Sequence, residues 1–208
     1  MLHLWGRLSS INVRKVVWTV QELGITLQRT DAGGAFGLVQ EPDYLARNPN
    51  GLVPLLHDED GDVVLWESNV VVRYLCARYA SETLYPQGIP ERFEAEKWMD
   101  WQQTTLNPAG RDAFLQWIRT PADQRRQDAI DRSVAAMEPL LGMLDAQLAQ
   151  REFLAGDRFT MADIPAACEV HRWFGLPQPR PSWPHLERWF QALSARSGAA
   201  GVLDQPLA

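Results

Sequence analysis

Hydrophobic and polar positions divide this chain into two unlike halves. Leu2, His3, Leu4 and Trp5 alternate toward Gly6, as a strand does. Val13, Val16, Val17 and Val20 then recur at helical spacing, and Leu23 followed by Gly24 ends that helix. Residues 25–30 read as a second strand, which would pair in parallel with the first as a β-α-β unit. A glycine-rich loop at 31–37 and a short helical turn at 44–46 follow. Residues 53–56 and 63–66 read as two strands joined by a turn at 57–62, because Asp60-Gly61 tolerates the positive φ of a tight hairpin. Glu67, Ser68 and Asn69 open an apolar helix at 70–79, with Ser68 as the capping residue.

The alternation then stops. Residues 81–90 carry Pro86, Gly88 and Pro90 and read as a linker. Beyond it only helical spacing remains. A tryptophan-rich helix runs from 91 to about 105, Pro108-Ala109-Gly110 kinks or interrupts it, and Phe114, Trp117 and Ile118 continue its stripe. A second long helix spans 122–150, with Pro139 predicting a kink. Thr160 and Asp163 form a capping-box pattern at a third helix, and Leu186, Trp189, Phe190 and Leu193 a final amphipathic one. The division is an α/β domain at 1–80, a linker at 81–90 and an all-helical domain at 91–208.

Composition narrows the class. The chain has 208 residues, 46% hydrophobic and 22% charged, which suits a soluble globular protein with a sizeable core. A net charge of −6 makes nucleic acid and anionic membrane poor partners. With no signal peptide and no long apolar run, the expected location is the cytoplasm. Nine tryptophans imply large apolar surfaces. Cys76 and Cys168 form no C-x-x-C pair and fall on helical patterns, as buried structural thiols would.

Two helix starts carry candidate chemistry. Ser9, Ser10 and Asn12 stand at the first strand-to-helix junction, where they serve as capping residues or as donors to a thiolate. An ordinary cysteine thiol has a pKa near ~8.5, and lowering it by about two units takes roughly 2.7 kcal/mol. One or two hydrogen bonds to a charged acceptor, roughly 1.5–3 kcal/mol each, supply that without a general base. At the second start, Ser68 and free helical N–H groups attract a carboxylate, and Glu67 beside it accepts an ammonium. Together they suit an α-amino-acid head group, or simply cap the helix. Ahead of them Pro54 opens a strand, and the Val53–Pro54 bond is a candidate for cis.

Asn48-Pro49-Asn50-Gly51-Leu52-Val53-Pro54, a hairpin, then Trp66-Glu67-Ser68 before a helix resembles the glutathione-binding domain of the soluble glutathione transferases. Leu154 and Gly156 followed by Thr160, Ala162 and Asp163 resemble the signature at that family's central helix, whose role is folding. The resemblance implies a thioredoxin-like N-terminal domain, an all-α C-terminal domain and pairing as a homodimer. It implies glutathione as co-substrate, no metal, and thiolate attack on a small hydrophobic electrophile. Leu52, Val53 and Pro54 would bind the peptide, with the Val53 backbone pairing it as an added strand. Glu67 and Ser68 would hold the γ-glutamyl head group. In theta-like and zeta-like members a serine four residues before a helix arginine stabilises the thiolate, and counting back from Arg14 gives Ser10. Asn12 ranks second, since other relatives share the pattern Ser10, Asn12, Val13, Lys15, Val16; Ser9 ranks third. Trp101, Thr105, Phe114 and Trp117 are the expected lining of the second-substrate pocket. Near Gly51-Leu52, where some members place a basic residue for the glycyl carboxylate, this chain is apolar, so that contact comes from elsewhere. A zeta-type isomerase is an alternative suggested by Ser9-Ser10, although Ile11 stands where that class has cysteine. A non-catalytic binding or regulatory protein that kept the fold is another.

Overall fold

A computed structural model describes residues 1–80 and 83–208; Ser81 and Glu82, which open the expected linker, lie outside the described residues. The first half is a four-stranded sheet in the order β2-β1-β3-β4. Strand β1 (Leu2–Trp5) leads to helix α1 (Ile11–Leu23) and to β2 (Leu27–Thr30), which pairs with β1 in parallel. After the short helix α2 (Pro42–Leu45), β3 (Leu55–Asp58) pairs antiparallel with β1, and β4 (Val63–Trp66) with β3. Helix α3 (Ser68–Tyr79) follows. Leu4, Val13, Val16, Leu56, Val71 and Leu75 form the core between the sheet and α1 and α3.

Three local expectations shift. Strand β3 begins at Leu55 rather than 53, because Pro54 has no N–H for the ladder. The Val53–Pro54 bond is cis. His57 and Asp58 belong to the strand, and Asp58 is tied there by the Tyr74 hydroxyl at 2.8 Å. The left-handed residue of the hairpin turn is Asp62 (φ 49°), not Gly61.

In the helical half, α4 (Ile89–Trp101) runs through a π-helical turn at Gln102–Leu106 into α5 (Asn107–Phe114) and a second π-helical turn at Leu115–Arg119. Pro108 therefore follows a π turn instead of interrupting the rod. Helix α6 (Gln127–Leu148) starts five residues later than expected and carries Pro139 in its interior. Helix α7 (Asp163–Phe174) is buried along most of its length, and α8 (Pro184–Ser194) packs beside it. Asp163 accepts from the Thr160 and Leu154 N–H groups, each at 3.0 Å, and from Trp189 Nε1 at 2.9 Å. That pins the loop before α7 to the helix start, as a capping carboxylate does. The apolar core here includes Met99, Leu106, Met137 and Leu141, and it runs without a break to Trp18, Val72 and Cys76 of the sheet half. The two halves thus meet along α1, α3 and α7, and the site lies at that meeting.

Candidate functional site

The segment between α2 and β3 is held from behind. The Tyr44 hydroxyl and Asn48 Nδ2 both donate to the Leu52 carbonyl, at 2.6 and 2.8 Å, and Asn48 Oδ1 accepts from the Asn50 N–H at 3.1 Å. The neighbouring Val53 N–H and C=O enter no hydrogen bond among the described residues. An extended peptide can pair with them. The Leu52 side chain is 66% exposed beside them.

Leu52, Val53, Pro54, Glu67, Ser68 and Asn12 wall one cavity of about 130 Å³. Sequence reasoning had placed all six in the site, from three separate segments. The cap differs from expectation: Glu67 is the N-cap and Ser68 the first helical residue of α3. Glu67 is exposed and has φ 69°, a left-handed conformation that a non-glycine residue adopts at a cost of about 1–2 kcal/mol. Strain of this kind is concentrated where a fold aims a side chain for use.

Ser68 is buried and fully engaged. Lys15 Nζ donates to its Oγ at 3.4 Å, and the hydroxyl donates to Asn12 Oδ1 at 3.2 Å. Lysine has no acceptor, so the serine proton is directed to Asn12 Oδ1, and Asn12 Nδ2 makes no hydrogen bond among the described residues. Lys15 also donates to Asn69 Oδ1, Gln102 Oε1 and Gln103 Oε1 at 3.0–3.1 Å. Its side chain is wholly buried, and none of these partners is a carboxylate. Burial draws its pKa down from 10.5 to about 8. Gln103 also lines the head-group cavity, so the first π turn brings the helical half to the site.

Lys15 and the two glutamines escaped sequence reasoning. The valine stripe of α1 marks one buried face, but Arg14, Lys15, Trp18 and Thr19 are buried as well. Trp18, a large apolar residue off the valine stripe, was the available signal that α1 is enclosed on a second side.

At the start of α1 the situation is reversed. Ser10 is the N-cap, with φ −82° and ψ 124°, and its carbonyl accepts from the N–H groups of Val13 and Arg14 at 3.0 Å. Its hydroxyl makes no hydrogen bond among the described residues. Asn12 and Val53 line both the head-group cavity and a groove of about 300 Å³. Ser10 lines that groove and a further cavity of about 190 Å³, and Ser9 lines only the latter. Shared walls therefore order the features: Glu67 and Ser68, then Asn12 and Val53, then Ser10, then the last cavity.

The lining of that last cavity differs from the lining expected for a second-substrate pocket. Of the four predicted residues only Phe114 lines it. Trp117 lines a separate cavity against α6, Trp101 packs edge-on against Trp98 at 5.3 Å, and Thr105 lies in the first π turn away from the cavity wall. Each π turn inserts one residue and advances the following side chains by about 100° relative to an unbroken α-helix. The side chains that follow each turn therefore face differently from those of an unbroken helix. The observed wall is cationic, with Arg7, Arg14, Arg119, His171 and Arg172. Cys168 is there too, but burial pushes its thiol up to about 12, so it stays protonated. Among the described residues no group of three or more His, Cys, Asp or Glu side chains could hold a metal ion, and no helix is long and apolar enough to cross a membrane.

The family model described as Glutathione S-transferase, N-terminal domain, matches residues 9–78, and that described as Glutathione S-transferase, C-terminal domain, matches residues 103–197. The chain is 42% identical over 207 residues to the glutathione S-transferase GstB of Escherichia coli, covering all of both chains. It is 32% identical to glutathione S-transferase 3 of Zea mays, over 94% of this chain and 90% of the other. Among solved structures it is similar to the theta class glutathione S-transferase of Xanthomonas axonopodis pv. citri with glutathione bound, at 42% identity and a TM-score of 0.95, covering 100% of this chain and 99% of that one.

Proposed function

The chain belongs to the glutathione S-transferase family, and on that premise we propose that Ser10 activates glutathione bound along Val53 for attack on an electrophile in the arginine-lined cavity. The observation that carries this reading is the order of the cavities, with Ser10 on the wall between groove and last cavity. The γ-glutamyl carboxylate meets the free N–H groups at the N-terminus of α3, framed by Ser68, where the helix dipole favours an anion. Its ammonium meets Glu67. The cysteinyl residue pairs with the free Val53 backbone, which delivers sulfur to the start of α1.

There the Ser10 hydroxyl donates to the thiolate, and the unspent Asn12 Nδ2 is a second donor within the same groove. A charge-assisted bond of roughly 1.5–3 kcal/mol lowers the thiol pKa by about one to two units. The thiol proton passes to solvent, sulfur bonds to the electrophilic carbon, and the leaving group departs with its electron pair. We assign 1–80 to glutathione binding and 91–208 to the second substrate, in a cytoplasmic protein. β4, α3 and α4 expose Trp66, Val70 and Phe93, apolar side chains that a homodimer would cover.

Calorimetric titration with glutathione tests the site. Binding in the wild type, weakened about tenfold or more on Glu67→Ala and on Ser68→Ala, is the expected result. Absence of binding at millimolar glutathione would sink the transferase reading.

A further inference from the structure

The cavity beside Ser10 is lined by more positive than negative side chains. Four guanidinium groups line it, and among the described residues no aspartate or glutamate side chain does. Two of the four are engaged. Arg14 donates to the carbonyls of Leu8 and Pro206 at 2.9 and 2.7 Å, and Arg172 pairs with Glu169 and donates to Asn107 Oδ1 at 2.8 Å. The other two lack a side-chain counter-charge. Arg119 is exposed, lies 5.4 Å from the Phe114 ring and donates one Nη2 hydrogen at 2.6 Å to the oxygen of Ala208, the last residue and part of the same wall, which leaves its other guanidinium N–H groups for a ligand. The Arg7 guanidinium has no hydrogen-bond or ion-pair partner among the described residues.

Arg7 is nevertheless packed into place. Its guanidinium lies against Gly33 and Gly34, where an added Cβ would come within 2.7 Å of Nη1 and 3.2 Å of Cζ. The glycine-rich loop thus leaves the space that this cation fills. Arg7 and Arg119 repel one another, and Arg7 is partly desolvated. A bound anion would relieve both penalties. Ile11, Phe114 and Leu207 supply an apolar remainder to the same wall.

We propose that the electrophile is itself an anion, a small carboxylate with an apolar body, its carboxylate held by Arg7 and Arg119 and its reactive carbon turned toward the thiolate at Ser10. This rests on the transferase reading and names the substrate class of that site. For an aryl halide, sulfur bonds to the ring carbon, the carbon–halogen bond breaks, and halide leaves with the electron pair. No oxidant or reductant is required.

The test uses a chloronitrobenzoate and its methyl ester, each with glutathione, with every kcat/KM divided by the uncatalysed rate because the ester activates the ring more strongly. The wild type is expected to favour the acid by about tenfold or more, the worth of one charge-assisted bond. Arg119→Met and Arg7→Met should each lose most of that preference, and Arg119→Lys should keep part of it. Because acid and ester are compared on the same variant, general damage to the fold cancels. Equal use of both substrates overturns the proposal, as does an acid preference that survives both methionine variants. If Arg7→Met raises only the KM for glutathione and leaves the acid-to-ester ratio at the wild-type value, Arg7 serves the peptide and the proposal fails. Turnover of neither compound together with no glutathione binding overturns the transferase reading and this one with it.

Discussion

At the start of α1 the Ser10 hydroxyl has no hydrogen-bond partner among the described residues; at the start of α3 the Ser68 hydroxyl has two. Both serines stand where a strand hands over to a helix, and both line the cavities of the site. The difference lies in what stands behind them. Behind Ser68 the helical half supplies Gln102 and Gln103, which with Asn69 hold Lys15 against the serine. Ser10 instead opens onto a groove and a cavity. A hydroxyl with an unspent proton beside open space is available to a developing negative charge. One with its proton committed is part of the frame, and it acts by fixing what surrounds it.

Ser10→Ala is the strongest way to break this comparison. It is expected to lower kcat/KM by about 10- to 100-fold, with glutathione affinity within about threefold of the wild type. Initial-rate kinetics with calorimetry on the same samples separates the two effects. A larger loss on Asn12→Ala than on Ser10→Ala would transfer the thiolate to the amide. Ser68→Ala should show the opposite pattern, with glutathione binding weakened about tenfold and kcat at saturating glutathione reduced much less. It removes an acceptor from Lys15 and the donor that orients Asn12, so a fall in kcat as large as that of Ser10→Ala would erase the distinction.

The contrast also explains what was legible beforehand. The sheet half depends on local signals, namely alternation, a turn, a capping glycine and a proline that cannot donate. Leu52, Val53, Pro54, Glu67, Ser68 and Asn12, singled out from such signals, line one cavity. Element boundaries slipped where one chemical detail decided, as at Pro54 and Asp62. The wall of the arginine-lined cavity was not legible, because it depends on two π turns that shift the helical register. Arginines on an amphipathic helix read as solvated; only the packing of α5 and α7 toward the start of α1 turns Arg119 and Arg172 to a shared cavity. Lys15 was invisible for a related reason, since its burial comes from a partner half distant in sequence.

Lys15 sharpens the comparison through pH. Its folded pKa of about 8 lies below the ordinary 10.5. Between those values the unfolded chain binds more protons than the folded one, so stability should rise with pH from about 8 to about 10.5. The expected gain is on the order of 1–3 kcal/mol. Denaturant unfolding across this range should show the rise in the wild type and not in Lys15→Met. A rise that persists in the methionine variant would assign the titration to another group. Lys15→Met should also weaken glutathione binding several-fold, since the ammonium lies one hydrogen bond behind the serine that frames the carboxylate site.

The smallest expected effect concerns His171, on the wall that Ser10 shares with the helical half. Burial first, and the Arg14 charge second, lower its pKa from 6.5 to about 4, while Asp204 opposes them. Arg14 Nη1 stands 3.2 Å from His171 Nδ1. A guanidinium only donates, so Nδ1 carries no proton and the neutral ring has its hydrogen on Nε2. Protonating Nδ1 would replace an acceptor by a second donor facing the same cation. Between pH 4 and 6.5 the unfolded state again binds more protons, so stability should fall as the solution is acidified through that window. The ring is partly exposed, which limits the slope to on the order of 1 kcal/mol over the window. His171→Gln keeps an acceptor for Arg14 and cannot titrate, so its unfolding free energy should lose that part of the acid dependence. An unchanged acid profile in the glutamine variant would mean that His171 titrates alike in both states, and that Arg14 does not hold it neutral.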